Sequence, residues 1–249
     1  GGLIAGWNPG ADQAVMSLAL AGNVLYAGGW FDNIGGQAKS RLAALNATTG
    51  EVLTAFNNGA MDGCPAALVV DGDTLYVGGG FTAIGGVVRK SIASLDATTG
   101  ALNTWNPDSV GVVQTLAVDG TTVYAGGLFT GIGGQARNRI AALDKSTGLA
   151  TAWNPNANNE VYSLAVDGET IYAAGHFKNI GGLARTFVAA LNASDGLATA
   201  WNANFPDWNV VNRIVLDGGW VYVGGQYQTV GGKIRRNFAA VDKTTGMAR

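Results

Sequence analysis

One motif dominates this chain. Its clearest copy, residues 121–153, reads TTVYAGGLFTGIGGQARNRIAALDKSTGLATAW. Tyr124 of that copy is matched by Tyr26, Tyr76, Tyr172 and Tyr222, at steps of 50, 48, 48 and 50 residues. A unit of this size cannot bury a core alone, and five near-identical units stack into one fold instead. The repeats run approximately 12–56, 57–105, 106–153, 154–201 and 202–249, with residues 1–11 completing the last. The expectation is a single domain over residues 1–249.

Each repeat carries four short apolar runs, here named A to D. In the third they are Gln114–Val118, Thr122–Gly127, Arg139–Asp144 and Leu149–Trp153. They are rich in Val, Ile, Leu, Tyr and Ala, and none sustains a 3.6-residue period, so all four read as strands. Runs A and B are joined at Asp71-Gly72, Asp119-Gly120, Asp167-Gly168 and Asp217-Gly218, with Ala21-Gly22 as the odd copy. Asp-Gly between apolar runs signals a hairpin with a type I′ turn. Runs C and D are joined through Asn46…Gly50, Asp96…Gly100, Asp144…Gly148, Asn192…Gly196 and Asp242…Gly246, the pattern of an Asx turn closed by a left-handed glycine.

Repeated four-stranded antiparallel meanders make an all-β, five-bladed β-propeller. The longer B–C and D–A connections share one face, where binding is expected. Gly2–Trp7 matches Gly148–Trp153, so the chain opens on a D run while the last repeat stops short of its own. Pairing the N-terminal outer strand with the last blade would close a monomeric ring; the alternative is an arc of a larger ring.

The aromatics ending run D are Trp7, Phe56, Trp105, Trp153 and Trp201, and they read as wedges between blades. The glycine pairs after the strand-B tyrosine (Gly28-Gly29, Gly78-Gly79, Gly126-Gly127, Gly224-Gly225) suit crowded strands. Phosphate-cradling loops need a following helix, and none is predicted.

Apolar-Tyr-x-Gly-Gly, then Phe-Thr-x-Ile-Gly-Gly-x-x-Arg, then Ile-Ala-x-Leu-Asp-x-x-Thr-Gly resembles the glycine-rich propeller repeats of large bacterial surface and secreted proteins. The Gly-Gly and later Trp are similar to Kelch repeats. Ala142–Gly148 followed by Trp153 is similar to the tryptophan-docking repeat of quinoproteins, with one extra residue before the Trp. The resemblance implies an extracellular or cell-surface location and specifies blades better than an activity.

Chemistry is thinly represented. Kelch-type copper oxidases need at least two histidines, and His176 is the only one. Quinoprotein dehydrogenases carry a calcium-bound cofactor and usually a vicinal disulfide, whereas Cys64 stands alone. The aspartates mostly fill turn slots, and no nucleophile elbow is present. No catalytic residue, metal site or cofactor is assigned. A net charge of -2 gives no nucleic-acid footprint, and no run of 18 apolar residues suggests membrane insertion.

Two features remain for function. Lys39, Arg89, Arg137, Arg185 and Arg235 follow each second glycine pair and begin run C. They either fix loops through hydrogen bonds, the preferred reading, or form a basic ring for an anion or acidic sugar. Trp30, Phe205, Trp208 and Trp220 break the pattern of their columns and are candidate partner-binding aromatics. The leading expectation is a non-enzymatic extracellular binding or scaffold propeller, with a protein or glycan at the long-loop face. A multivalent lectin-like propeller and a degenerate quinoprotein-like enzyme domain are the alternatives.

Overall fold

The computed structural model describes residues 6–206 and 210–249 and divides into two compact units, Gly1–Val113 and Gln114–Arg249. The division falls within the strand Ser109–Asp119 of the third repeat, not between repeats. Among the described residues every regular element is a β-strand.

Unit 1 holds two blade sheets. One is Val15–Ala21, Val24–Gly29 and Leu42–Asn46; the other is Cys64–Asp71, Thr74–Gly80 and Ile92–Asp96. Unit 2 continues with Val161–Asp167, Thr170–Gly175 and Val188–Asn192, and with Val210–Asp217, Trp220–Gln226 and Phe238–Asp242. The third repeat uses longer A and B strands, Ser109–Asp119 and Thr122–Ile132, with Ile140–Asp144 as C. In every sheet B is central and pairs antiparallel with A and C, as in Tyr172 opposite Ala165 and Ala190.

The blades differ from the expected four strands. Run D is reduced to a single antiparallel bridge: Leu45 with Val52, Leu95 with Leu102, Leu143 with Ala150, Leu191 with Ala198 and Val241 with Ala248. The reason is the B–C connection, which is not a loop. It folds into a second small hairpin, such as Asn179–Ile180 with Leu183–Ala184, whose tip lies over run D. The amide of Ala198 donates to the Gly181 carbonyl at 2.9 Å, and that of Ala150 to Gly133 at 3.0 Å. In the third and fourth repeats the hairpin tip thus occupies the outer edge of run D, whose inner edge keeps its bonds to run C, such as Thr151 N–H to Ala142 O at 2.9 Å.

The turn types are exchanged relative to expectation. Asp71 pairs with Thr74, so the central A–B residues are Gly72-Asp73, and only the glycine has positive φ, at 55°. That is a type II′ pattern. The two-positive pattern of type I′ sits at the tip of the small hairpin, where Gly35 and Gly36 have φ of 59° and 70°. The Asx turn holds as expected: the Asp144 carboxylate accepts from the amides of Ser146 and Thr147 at 3.0 and 2.7 Å, before Gly148 at φ 76°. The second glycine of the strand-B pair is imposed by a bulge in strand A. A Cβ on Gly175 would lie 2.1 Å from the Glu160 carbonyl oxygen.

The core lies between successive blades. In unit 1, Tyr26, Leu42 and Ala44 of one sheet bury against Leu68, Leu75 and Val77 of the next. In unit 2, Tyr172, Val188 and Ala190 meet Ile214, Val221 and Val223 in the same way. The run-D aromatics are wedges: Trp153 and Trp201 donate their indole N–H to the carbonyls of Asn192 and Asp242, each at 2.9 Å, in the following repeat. Trp7 does the same to Ala47 at 3.0 Å. Each wedge also packs edge-on against the tyrosine of its own repeat, with centroids 5.2–5.6 Å apart for Tyr26–Phe56, Tyr76–Trp105, Tyr124–Trp153 and Tyr172–Trp201.

The N-terminal run expected to close the ring lies largely outside the described residues, Gly2–Ala5 among them. In the last repeat Ala248 bridges Val241, and the Arg249 amide donates to Ala240 at 2.9 Å. The last repeat therefore supplies the start of its own run D.

Candidate functional site

The candidate surface is the end of each blade where strand B finishes, strand A begins and the D–A loop arrives. Its backbone is unusual. The residue before strand C takes the left-handed conformation in all five repeats: Arg41, Ser91, Arg139, Phe187 and Asn237, with φ between 63° and 68°. Such a conformation costs a non-glycine residue about 1–3 kcal/mol. It is held by two backbone bonds, Arg41 N–H to Phe31 O at 2.8 Å and Gly29 N–H to Arg41 O at 2.9 Å, repeated in the other blades. The side chains share no chemistry, so this column carries no sequence signature.

The strained residue presents its side chain beside the one that ends strand B. In the first repeat the Arg41 guanidinium lies over the half-exposed Trp30 ring, 5.2 Å from its centroid, a cation–π geometry. In the fourth, Phe187 stacks with His176 at 6.3 Å. Around His176 stand Asn159, whose amide nitrogen is 3.4 Å from Nδ1, and Glu160, which accepts from the Tyr162 hydroxyl. Burial, reinforced by Glu160, pushes the Tyr162 hydroxyl up to about 12.

D–A loop carboxylates lock the adjoining hairpins. Asp12 accepts from the amides of Asp32 and Asn33 and from the Asn33 side chain; the last bond, at 2.8 Å, is the main cause holding its carboxyl below the usual range. Asp62 plays the same part toward Thr82 and Ala83. Burial pushes its pKa up, and the Thr82 and backbone bonds outweigh it and bring it down.

The five bases are spread one to a repeat, each directed at its own run D. Arg137 donates to Ala136 O at 2.9 Å and Thr151 O at 2.6 Å; Arg185 to Ala184 O and Thr199 O at 2.9 and 2.6 Å; Arg89 to Val88 O and Asn103 O at 2.9 and 3.0 Å. Arg235 reaches Ile234 O and Arg249 O, and Lys39 reaches Phe56 O at 2.7 Å. These bonds suit the loop-fixing reading. Lys39 also lines a cleft of about 270 Å³ with Asp32, Ser40, Asn57, Asn58 and Ala60.

The four aromatics do not form one site. Trp30 sits at the end of its strand B. Trp220 sits at the opposite end of its own, with Arg249 over the ring at 5.3 Å. Phe205, a partner-binding candidate, is not available at the surface: it is only 4% exposed and packs edge-on to Tyr227 at 5.0 Å. Trp208 lies outside the described residues.

The interlocked wedges and Asx-closed turns define a propeller of quinoprotein-like repeats. Residues 38–246 match the family described as outer membrane protein assembly factor BamB, and the chain belongs to that family. Among solved structures it is similar to the WD40 β-propeller domain of Doa1, at 14% identity and a TM-score of 0.62, covering 96% of this chain and 68% of that one. It is also similar to the computationally designed Ika8 protein, at 13% identity and a TM-score of 0.56, covering 97% and 87%. A search of curated proteins found no match.

Proposed function

We propose that the chain is a non-enzymatic, extracytoplasmic or cell-surface scaffold that binds a protein partner through the blade ends bearing the D–A loops. The observation that carries this is membership in a family described as an outer membrane protein assembly factor. The blade ends supply suitable chemistry: exposed Trp30 with its arginine, and the His176–Phe187 pair, both set on strained, well-bonded backbone. Among the described residues no three of His, Cys, Asp and Glu stand together.

The test is a fluorescence titration of the chain with an unfolded outer membrane protein. Binding should weaken in Trp30→Ala and His176→Ala, whose side chains carry little of the core. No binding by the wild type at high micromolar concentration, or no effect of either variant, would sink the proposal. An oligosaccharide titration run alongside separates the lectin-like reading.

A further inference from the structure

The first four repeats share a seam, where the residue just before the left-handed column faces the D–A loop that follows. In three of them a side chain closes it. Lys90 pairs with Asp108 at 3.5 Å in the second repeat. In the third, the Asn138 amide group donates to the Asn156 side chain at 2.8 Å. In the fourth, the Thr186 hydroxyl donates to the Phe205 carbonyl at 2.7 Å. The first repeat departs from this. Ser40 holds the position of Lys90, Asn138 and Thr186, and its hydroxyl reaches the Met61 carbonyl only at 3.5 Å, the edge of hydrogen-bonding range. On the other side, Gly59 stands where Asp108 and Asn156 bring their side chains, all three on left-handed backbone with φ of 69°, 51° and 53°. A Cβ on Gly59 would lie 2.7 Å from the Cα of Gly85. The backbone itself thus forbids the side chain that would fill the gap.

The open seam is the cleft of about 270 Å³, and every residue lining it belongs to unit 1. Its polar groups are fixed in place and still have capacity to spare. The Asp32 amide is tied to Asp12 at 3.0 Å, while its carboxylate takes no bond among the described residues. Lys39 spends one of its three N–H donors on the Phe56 carbonyl at 2.7 Å. Asn57 Oδ1 accepts from the Gly59 amide at 3.2 Å, and Asn58 Nδ2 donates to the Gly59 carbonyl at 2.8 Å. That leaves the Asn57 amide nitrogen as a donor and Asn58 Oδ1 as an acceptor. Ala38 and Ala60 supply a small apolar patch.

We infer that this cleft binds one ring of a neutral sugar. A hydroxyl both donates and accepts, so hydroxyls on neighbouring ring carbons meet the Asp32 carboxylate and the Lys39 ammonium together, through charge-assisted bonds. An anion would face the Asp32 charge and a cation the Lys39 charge, which selects against both. The C–H face of a ring suits the two alanine methyls. The volume falls below that of pockets for drug-sized ligands and matches a single ring.

The test is an amide NMR titration of the whole chain with glucose, galactose, mannose and N-acetylglucosamine in turn. At least one sugar should shift the amides of Lys39, Ser40 and residues 57–60 along a one-site isotherm. Asp32→Ala should weaken that binding about tenfold, the loss of a hydrogen bond to a charged group. Ser40→Lys, which places in this seam the side chain that closes the second, should weaken it by a similar factor. Asp32 is exposed and Ser40 half-buried, so amides elsewhere should keep their positions; Asp32→Asn replaces Asp32→Ala if that variant unfolds. No shift at these amides with any of the four sugars overturns the proposal, and so does binding that both variants retain in full. A response to glycine, a zwitterion with the two matching charges, in place of the sugars also overturns it. Shifts spread over every repeat overturn the single site in favour of a multivalent lectin.

Discussion

Replacing Arg137 with Ala should loosen run D of the third repeat without touching the rest of its blade. The side chain bridges Ala136 O and Thr151 O at 2.9 and 2.6 Å, in place of the ladder that a full outer strand would provide. Hydrogen bonds to a charged group are worth about 1.5–3 kcal/mol each. Arg137 is half-buried, so solvent screening lowers the sum, and a net local loss of about 2 kcal/mol is expected. At ~1.4 kcal/mol per tenfold, that is a roughly thirty-fold rise in local opening. The readout is native-state hydrogen exchange at the amides of Ala150 and Thr151, which bond to Gly133 O and Ala142 O at 3.0 and 2.9 Å. Amides of the central B strand, such as Tyr124, should change far less. Arg137→Lys should recover part of the protection, since one ammonium can satisfy one carbonyl, as Lys39 does at Phe56. Unchanged exchange in Arg137→Ala would refute the view that this base closes the blade, and would return the basic column to the ligand-binding reading.

Three further outcomes follow from the same geometry. Gly175→Ala should destabilise by about 3 kcal/mol in urea denaturation, because the new methyl meets the Glu160 carbonyl and only backbone can yield. Phe205→Ala should cost about 3–5 kcal/mol as a core deletion, with denaturation again the measure and partner binding altered only through stability. The Asp144 carboxyl is held down to about 2, chiefly by the Ser146 hydroxyl and then by the Thr147 amide and hydroxyl. Its folded pKa is lower than its unfolded one, so its contribution is complete above about pH 4 and vanishes as pH falls through about 2. Acid titration of Asp144→Asn should therefore show a shallower loss of stability across that window than wild type does.

The repeat period, the strand content, the Asx turns and the aromatic wedges were all legible in the sequence, because each rests on local chemistry repeated five times. What the sequence hid depended on pairing register or on long-range company. Asp71-Gly72 looks like the centre of a hairpin turn until register places Asp71 in the ladder opposite Thr74. Phe205 looks like an exposed anchor because its loop breaks the pattern, yet it breaks it by turning into the core. The arginine column was visible, but its acceptors are backbone carbonyls 14 residues away, and carbonyls carry no sequence signature. The left-handed column of Arg41, Ser91, Arg139, Phe187 and Asn237 has no signature either, since its strain is fixed by backbone bonds that any residue makes.

The contraction of run D to one bridge bears on how such a chain avoids polymerising through its backbone. A full outer strand on every blade would expose five rows of free N–H and C=O groups, each a template for strand addition by another molecule. Here the outermost ladder is a single residue long, flanked by the folded hairpin tip and an arginine that consumes the next carbonyl. An incoming strand finds too few consecutive free groups to register against.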